Sequence, residues 1–151
     1  MNLKKEIMKI INELKEEYLK KYKKNLVSIV LFGSYANNLA TSVSDIDLII
    51  IFEKINSSKL KIYSDFFTIL ENLPTYKKLK KKKIYPNFSP IIKEKNQLNL
   101  KLPYLWSTNF EIFYDKELFF NQFIKKLENF KRKKIKFKEG IMPYYEVVKN
   151  G

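Results

Sequence analysis

The chain has 151 residues, 45% hydrophobic and 15% aromatic, and a formal net charge of +14. That length suits one domain over residues 1–151, and that apolar fraction can fill a core, which excludes wholesale disorder. It contains no cysteine and no histidine, which excludes disulfides, thiol nucleophiles, Cys/His zinc sites and imidazole catalysis, leaving chemistry to carboxylates, hydroxyls, lysines and a hard cation.

Residues 3–24 place Leu3, Ile7, Ile10, Ile11, Leu14, Tyr18 and Tyr22 at helical spacing among Lys and Glu, which predicts an amphipathic helix. Leu26 to Phe32 is short, apolar and β-branched, and reads as a buried strand. Gly33-Ser34 breaks it, and Tyr35 to Leu39 can form a short helix. Asp45 to Phe52 (DIDLIIIF) is a second buried strand.

Ser57-Ser58 resembles a helix N-cap, and Leu60, Tyr63, Phe66, Phe67, Leu70 and Leu73 continue as a helical stripe that Pro74 stops. Residues 77–83 (KKLKKKK) read as a solvated basic run. Pro86 and Pro90 make any strand over Ile84 to Ile92 irregular or an edge strand. A helix over about Lys116 to Phe130 and a hairpin over Ile135 to Val148, turning at Glu139-Gly140, complete the chain. Strands and helices alternate throughout, so the fold class is α+β or α/β, a mixed sheet flanked by helices. No apolar run approaches the ~18 residues of a membrane span, and the first residues lack the layout of a secretory signal. The expectation is a cytoplasmic protein with no membrane role.

The chemistry concentrates in Val30 to Phe52 (VLFGSYANNLATSVSDIDLIIIF). Side chains two apart on a strand share a face, so Asp45 and Asp47 point together. Two such carboxylates repel unless a cation lies between them or one takes a proton. At Gly33 the backbone can turn tightly and approach a ligand, while Ser34 offers a hydroxyl and an amide at a helix start, a favourable place for phosphate. A phosphate cradle beside a carboxylate pair suits metal-assisted attack on the α-phosphate of an NTP.

Gly33-Ser34, ten residues, then Asp45-x-Asp47 resembles the signature of the DNA polymerase β nucleotidyltransferase superfamily, and in particular its small stand-alone members. Phe32, Ala36 and Ser44 fit the same pattern. The resemblance covers about residues 26–53. It implies a nucleotidyltransferase fold, Mg²⁺ or Mn²⁺ on Asp45 and Asp47, NTP (most simply ATP) held by Gly33, Ser34 and the two acids, and transfer of NMP to a protein or RNA hydroxyl. Many small relatives pair with an all-helical HEPN ribonuclease toxin and act as its antitoxin, which implies a HEPN-type partner.

Two departures stand out. Relatives often carry an arginine just after the serine and a glycine four residues after it; here Tyr35, Asn37 and Asn38 occupy that stretch. Asn tolerates the left-handed conformation best after glycine, so Asn38 is a mild replacement. Relatives also take a third carboxylate from a later strand, and the corresponding segment, Tyr85 to Ile92, holds no acid. Glu94 just beyond it is the first candidate for the catalytic base, ahead of Glu111 and Asp115.

A second class of function stays open: a catalytically weakened module binding a nucleotide, RNA or protein through its basic surface. The net charge suits any polyanion, although a Lys- and Asn-rich composition also follows from an AT-rich genome. The sequence leaves the oligomeric state, acceptor and base preference undetermined.

Overall fold

In the computed structural model, residues 2–138 and 144–147 are described. The first helix, α1 (Leu3–Tyr22), starts where the Asn2 side chain accepts from the Lys5 amide, and it buries Ile7, Ile10, Ile11, Leu14 and Tyr18, the predicted stripe. It leads into β1 (Leu26–Phe32), every residue of which is buried. A single helical turn, α2 (Gly33–Ala36), follows directly, and β2 (Ile46–Phe52) is the second strand. Helix α3 (Lys59–Glu71) is N-capped by Ser58, as its sequence predicts.

The next element corrects the sequence reading. Residues 77–83 are not a solvated run throughout: α4 (Pro74–Lys81) is a helix in which Pro74 occupies the first turn. Proline is tolerated there because the first-turn N–H has no intrahelical acceptor anyway. Thr75 and Leu79 are its buried residues, too few to leave a legible apolar stripe. The Glu13 carboxylate accepts from the Thr75 amide at 3.1 Å and from its hydroxyl, which ties the start of α4 to α1.

Strand β3 (Phe88–Glu94) begins four residues later than Ile84, and β4 (Glu111–Asp115) is a strand the sequence reading did not anticipate. It is five residues long, only half-buried, and bulged against β1, so it carries no clear alternation. Helix α5 (Phe119–Lys134) buries Phe120, Phe123 and Leu127. The last strands, β5 (Ile135–Lys138) and β6 (Tyr144–Val147), pair antiparallel; the predicted turn at Glu139-Gly140 lies outside the described residues.

The main sheet has the order β3-β2-β1-β4. Strand β1 is antiparallel to both β2 and β4, whereas β2 and β3 are parallel. β3, with Pro90 inside it, is therefore an edge strand as its prolines require. Alternation divides β1 and β2 between two cores. Leu31, Leu48 and Ile50 pack with α1, α3 and α4 on one face. Val30, Phe32, Ile49 and Ile51 pack with α5 and the 98–106 segment on the other. The mixed α/β expectation holds.

Asp115 closes the seam between β1 and α5. Its Oδ1 accepts from the buried Ser28 hydroxyl and the Phe120 amide, both at 2.8 Å, and its Oδ2 accepts from the Asn121 amide at 2.9 Å. That carboxylate is a cap, not a catalytic acid. Asp115→Ala should cost about 2 kcal/mol, because it removes a helix cap and orphans a buried hydroxyl. Urea denaturation should show that loss with divalent-cation binding unchanged.

Candidate active site

The sheet register builds the site at the end where β1 leaves and β2 enters. Asp47 lies opposite Phe32, the last residue of β1, and opposite Ser89 of β3. Directly opposed residues share a face, so Asp47 stands on the α5 side of the sheet with Phe32 behind it. Asp45 precedes β2 by one residue and is exposed, whereas Asp47 is half-buried. On the edge strand, Asn87 donates its side-chain amide to Asp45 Oδ1 at 2.6 Å, while the Asn87 carbonyl accepts from the Ile46 amide at 2.8 Å. Asn87 and Ser89 thus form a second row beside Asp45 and Asp47.

Gly33 is required twice over. It has φ +73°, the left-handed region where side chains are costly. A Cβ on it would also fall on Asp47 Oδ2, well inside van der Waals contact. The bare backbone is what lets the carboxylate lie against the turn. Asn38, in the left-handed conformation at φ 59°, bears out its reading as a glycine substitute.

One part of the site was not visible in the motif. The segment 107–109 is clipped over the Gly-Ser turn. The Gly33 amide donates to Thr108 Oγ1 at 2.7 Å, and that hydroxyl donates to the Asn109 carbonyl at 2.8 Å. The Asn109 amide donates to Asn37 Oδ1 at 2.6 Å. Asn37, which stands near the place of the missing arginine, therefore fastens a loop instead of offering a charge. The Ser34 hydroxyl has no hydrogen-bond partner among the described residues and remains available.

The electrostatics are unusual for so basic a chain. Among the described residues, no ion pair includes Asp45 or Asp47; the lysines pair instead with acids such as Glu6, Glu53 and Asp65. Burial, and then the neighbouring Asp45 charge, push the Asp47 carboxyl above its ordinary range. Two hard oxygen donors on one face with no lysine between them fit a divalent cation.

The expected base does not fit. Glu94 lies opposite Phe52, at the far end of β3 from Ser89, five residues and about 16 Å along the strand. Its side chain and amide form a reciprocal cap with Gln97 on the 3-10 turn at residues 95–97. Glu94 is thus corrected from candidate base to turn cap. Glu111 pairs with Leu31 and so stands on the opposite face from Asp47. No group of three or more metal-ligating acids occurs among the described residues. Ser89 takes the lateral place next to Asp47. A cavity of about 780 Å³ lies elsewhere, between residues 95–102 and α5, and includes none of these groups.

A strand, a glycine-serine turn and two carboxylates at the start of the next strand make a site suited to nucleotide handling, and the family comparison agrees. A family model described as "Nucleotidyltransferase domain" matches residues 7–148, and the chain belongs to that family. It is a nucleotidyltransferase. It is 30% identical to "Putative protein adenylyltransferase MJ1305" of Methanocaldococcus jannaschii, over 80% of this chain and 82% of that protein. It is 39% identical to "Putative protein adenylyltransferase MJ1379" of the same organism, over 44% of this chain and 71% of that one. A solved toxin-antitoxin structure with AMP-PNP matches with a TM-score of 0.44 and 15% identity, covering 87% of this chain and 91% of that one. At that score the likeness adds nothing to the functional reading. No helix among the described residues is long and apolar enough to cross a membrane.

Two measurements test this geometry. With the Asp47 carboxyl raised by burial and Asp45, its ionisation opposes folding, so wild-type stability relative to Asp47→Asn should be greatest below the usual carboxylate range. That advantage should be lost as pH rises through the raised value. At neutral pH and without metal, Asp47→Asn should therefore melt above wild type. Saturating Mn²⁺ should reverse the order, adding about 2–3 kcal/mol at 100 times Kd to wild type alone. In a calorimetric titration, Gly33→Ala should lose most Mn²⁺ binding, because the new methyl displaces Asp47.

Proposed function

We propose that the chain transfers AMP from ATP to a hydroxyl of a macromolecule, using Mg²⁺ or Mn²⁺ held by Asp45 and Asp47. The observation that carries this reading is the pair itself: two carboxylates on one face, one half-buried, left without a cationic side chain in a chain of net charge +14. When bound, the cation neutralises triphosphate charge and lowers the acceptor hydroxyl's hold on its proton.

The chain's own residues do the positioning. Ser34, with a free hydroxyl at the start of α2, accounts for holding the triphosphate; the Gly33 amide is already given to Thr108. Asn87 fixes the rotamer of Asp45 through its 2.6 Å bond. Phe32 and Ile49 exclude water from the inner side of Asp47. In the reaction, the acceptor oxygen bonds to the α-phosphorus, the bond from that phosphorus to the bridging oxygen breaks, pyrophosphate leaves, and the acceptor proton passes to water. Little covalent work falls to protein side chains in such chemistry.

The Methanocaldococcus jannaschii relatives bear the name protein adenylyltransferase, which supports a protein hydroxyl as one acceptor class. The resemblance to small stand-alone nucleotidyltransferases further supports a HEPN-type toxin as the protein partner, with the chain as its antitoxin. A second reading, a nucleotide-binding module with weak turnover, is favoured by one observation: Ser89 offers a hydroxyl where a third acid would complete the cation site.

Incubation with each α-labelled NTP, Mg²⁺ or Mn²⁺ and candidate acceptors is the direct test. ATP should label an acceptor, and the folded Asp45→Asn, Asp47→Asn double variant should label none; persistent labelling would refute the assignment. Ser34→Ala should reduce NTP affinity or rate by about 1–3 kcal/mol, the worth of a charge-assisted hydrogen bond. Glu94→Gln should leave turnover unchanged. Ser89→Asp should tighten Mn²⁺ binding and raise turnover at least severalfold; a fall in both would show that the place beside Asp47 is not a cation position.

A further inference from the structure

The lysine helix α4 packs on the face of the sheet opposite Asp47, and the loop after it leads to Asn87, the partner of Asp45. Two ties set the direction of α4: Thr75 bonds Glu13, and Lys78 pairs with Glu6 at 3.1 Å. Advancing along α4 therefore means moving back along α1. The Lys80–Lys83 end approaches the start of α1, where Lys4 donates to the Asn38 side chain beside the Gly-Ser turn. The chain itself makes the same connection. From Lys83 it reaches Asn87, the partner of Asp45, in four residues, at most about 14 Å.

This ridge is charged well beyond what its own fold uses. Lys80, Lys81, Lys82 and Lys83 are all exposed. Of the lysines in residues 77–83, Lys78 has an ion pair among the described residues, and Lys82 acts on Glu6 only at longer range. Lysines in a last turn do offset the helix dipole, but Lys82 and Lys83 lie beyond the end of α4. Between them and Asn87 stands Tyr85, 62% exposed, an aromatic face turned to solvent where burial would be expected.

We propose that Lys80–Lys83 and Tyr85 form a binding surface for single-stranded RNA that runs to the Asp45–Asp47 site. Four lysines clustered at the end of α4 attract a phosphate backbone, and an exposed ring beside them offers a stacking platform for an unpaired base. An acidic polypeptide would use the charges and have no need of the ring. RNA is favoured over DNA because a terminal ribose brings both 2′ and 3′ hydroxyls to a site that transfers nucleotides to hydroxyls. That RNA serves as acceptor, and that RNA is preferred to DNA, rest on the function proposed above; the binding of a single strand by the lysines and Tyr85 does not.

Fluorescence anisotropy of a short labelled single-stranded RNA of mixed sequence, with the full chain and no NTP, tests the binding between about 50 and 200 mM salt. Changing Lys80, Lys81, Lys82 and Lys83 together to Ser should flatten the slope of log affinity against log salt by roughly 3, about 0.7 for each lost phosphate contact. Tyr85→Ala should weaken binding roughly 5- to 100-fold with the slope unchanged. The folded Asp45→Asn, Asp47→Asn variant should bind RNA at least as tightly as wild type, because two repelling charges are removed, while transfer is lost, which separates this surface from the transfer chemistry. Unchanged affinity in both the lysine variant and Tyr85→Ala would overturn the proposal. So would polyglutamate binding as tightly as RNA with no effect of Tyr85→Ala, or single-stranded DNA binding as tightly as RNA. RNA bound but never labelled by an active enzyme would overturn the acceptor role alone.

Discussion

The site depends on one close approach: Asp47 lies against the backbone of Gly33, where no Cβ can be accommodated. Because Phe32 is opposite Asp47, the chain must leave β1 at that level, and only a left-handed residue turns it directly into α2. The turn then places Ser34 at the start of α2. Burial raises the cost of ionising Asp47, as its upward pKa shift records. That cost is met by a sheet whose neighbouring positions are filled with Ile49, Ile50 and Ile51, all fully buried. The polar end is held by the apolar strand behind it.

Much of this was legible because two periods are simple. The 3.6-residue stripe of α1 and the alternation of β1 and β2 between two cores are properties of the backbone, and tertiary context did not override them. Asn38 in the left-handed conformation followed from the stereochemistry of one residue. Register is different in kind. Whether Ser89 or a later residue sits beside Asp47 depends on where β3 begins, and the Pro86–Pro90 stretch has no alternation from which to read that. Helix α4 was missed for a related reason: two buried residues in eight give no stripe, and proline marks a helix start as readily as a stop.

The misassignment of Glu94 shows why nearness in sequence is a poor guide to a site fed by several strands. Strands β2 and β3 are parallel, so the residues that join Asp45 and Asp47 come from the start of β3, not its end. At that start the chain supplies an amide at Asn87 and a hydroxyl at Ser89. Neutral donors lessen the repulsion between Asp45 and Asp47 less than a cation would, yet add none of the negative charge a third acid brings. Such a donor set holds a divalent cation less tightly, and more of its oxygen ligands must come from the triphosphate. In the proposed mechanism, cation and nucleotide binding would then be coupled, because each would supply part of the other's site.

The same separation governs the long-range field. A lysine within ion-pair distance of Asp47 would neutralise it and compete with any divalent ion for the same oxygens. Instead the lysines stand one layer out, on α4 and at the start of α1, where Lys78 is fixed by Glu6 and Lys4 by Asn38. Without an ion pair to either acid among the described residues, they attract a polyanion without satisfying the carboxylates. Under the proposal, a phosphate chain held on the ridge would meet two acids at Asp45 and Asp47, which it would approach most readily together with a cation. In the proposed binding mode, attraction by the lysines and repulsion by the acids would oppose each other, and a divalent ion would reconcile them. The positive charge of the chain and the bareness of its acidic pair are two parts of one arrangement.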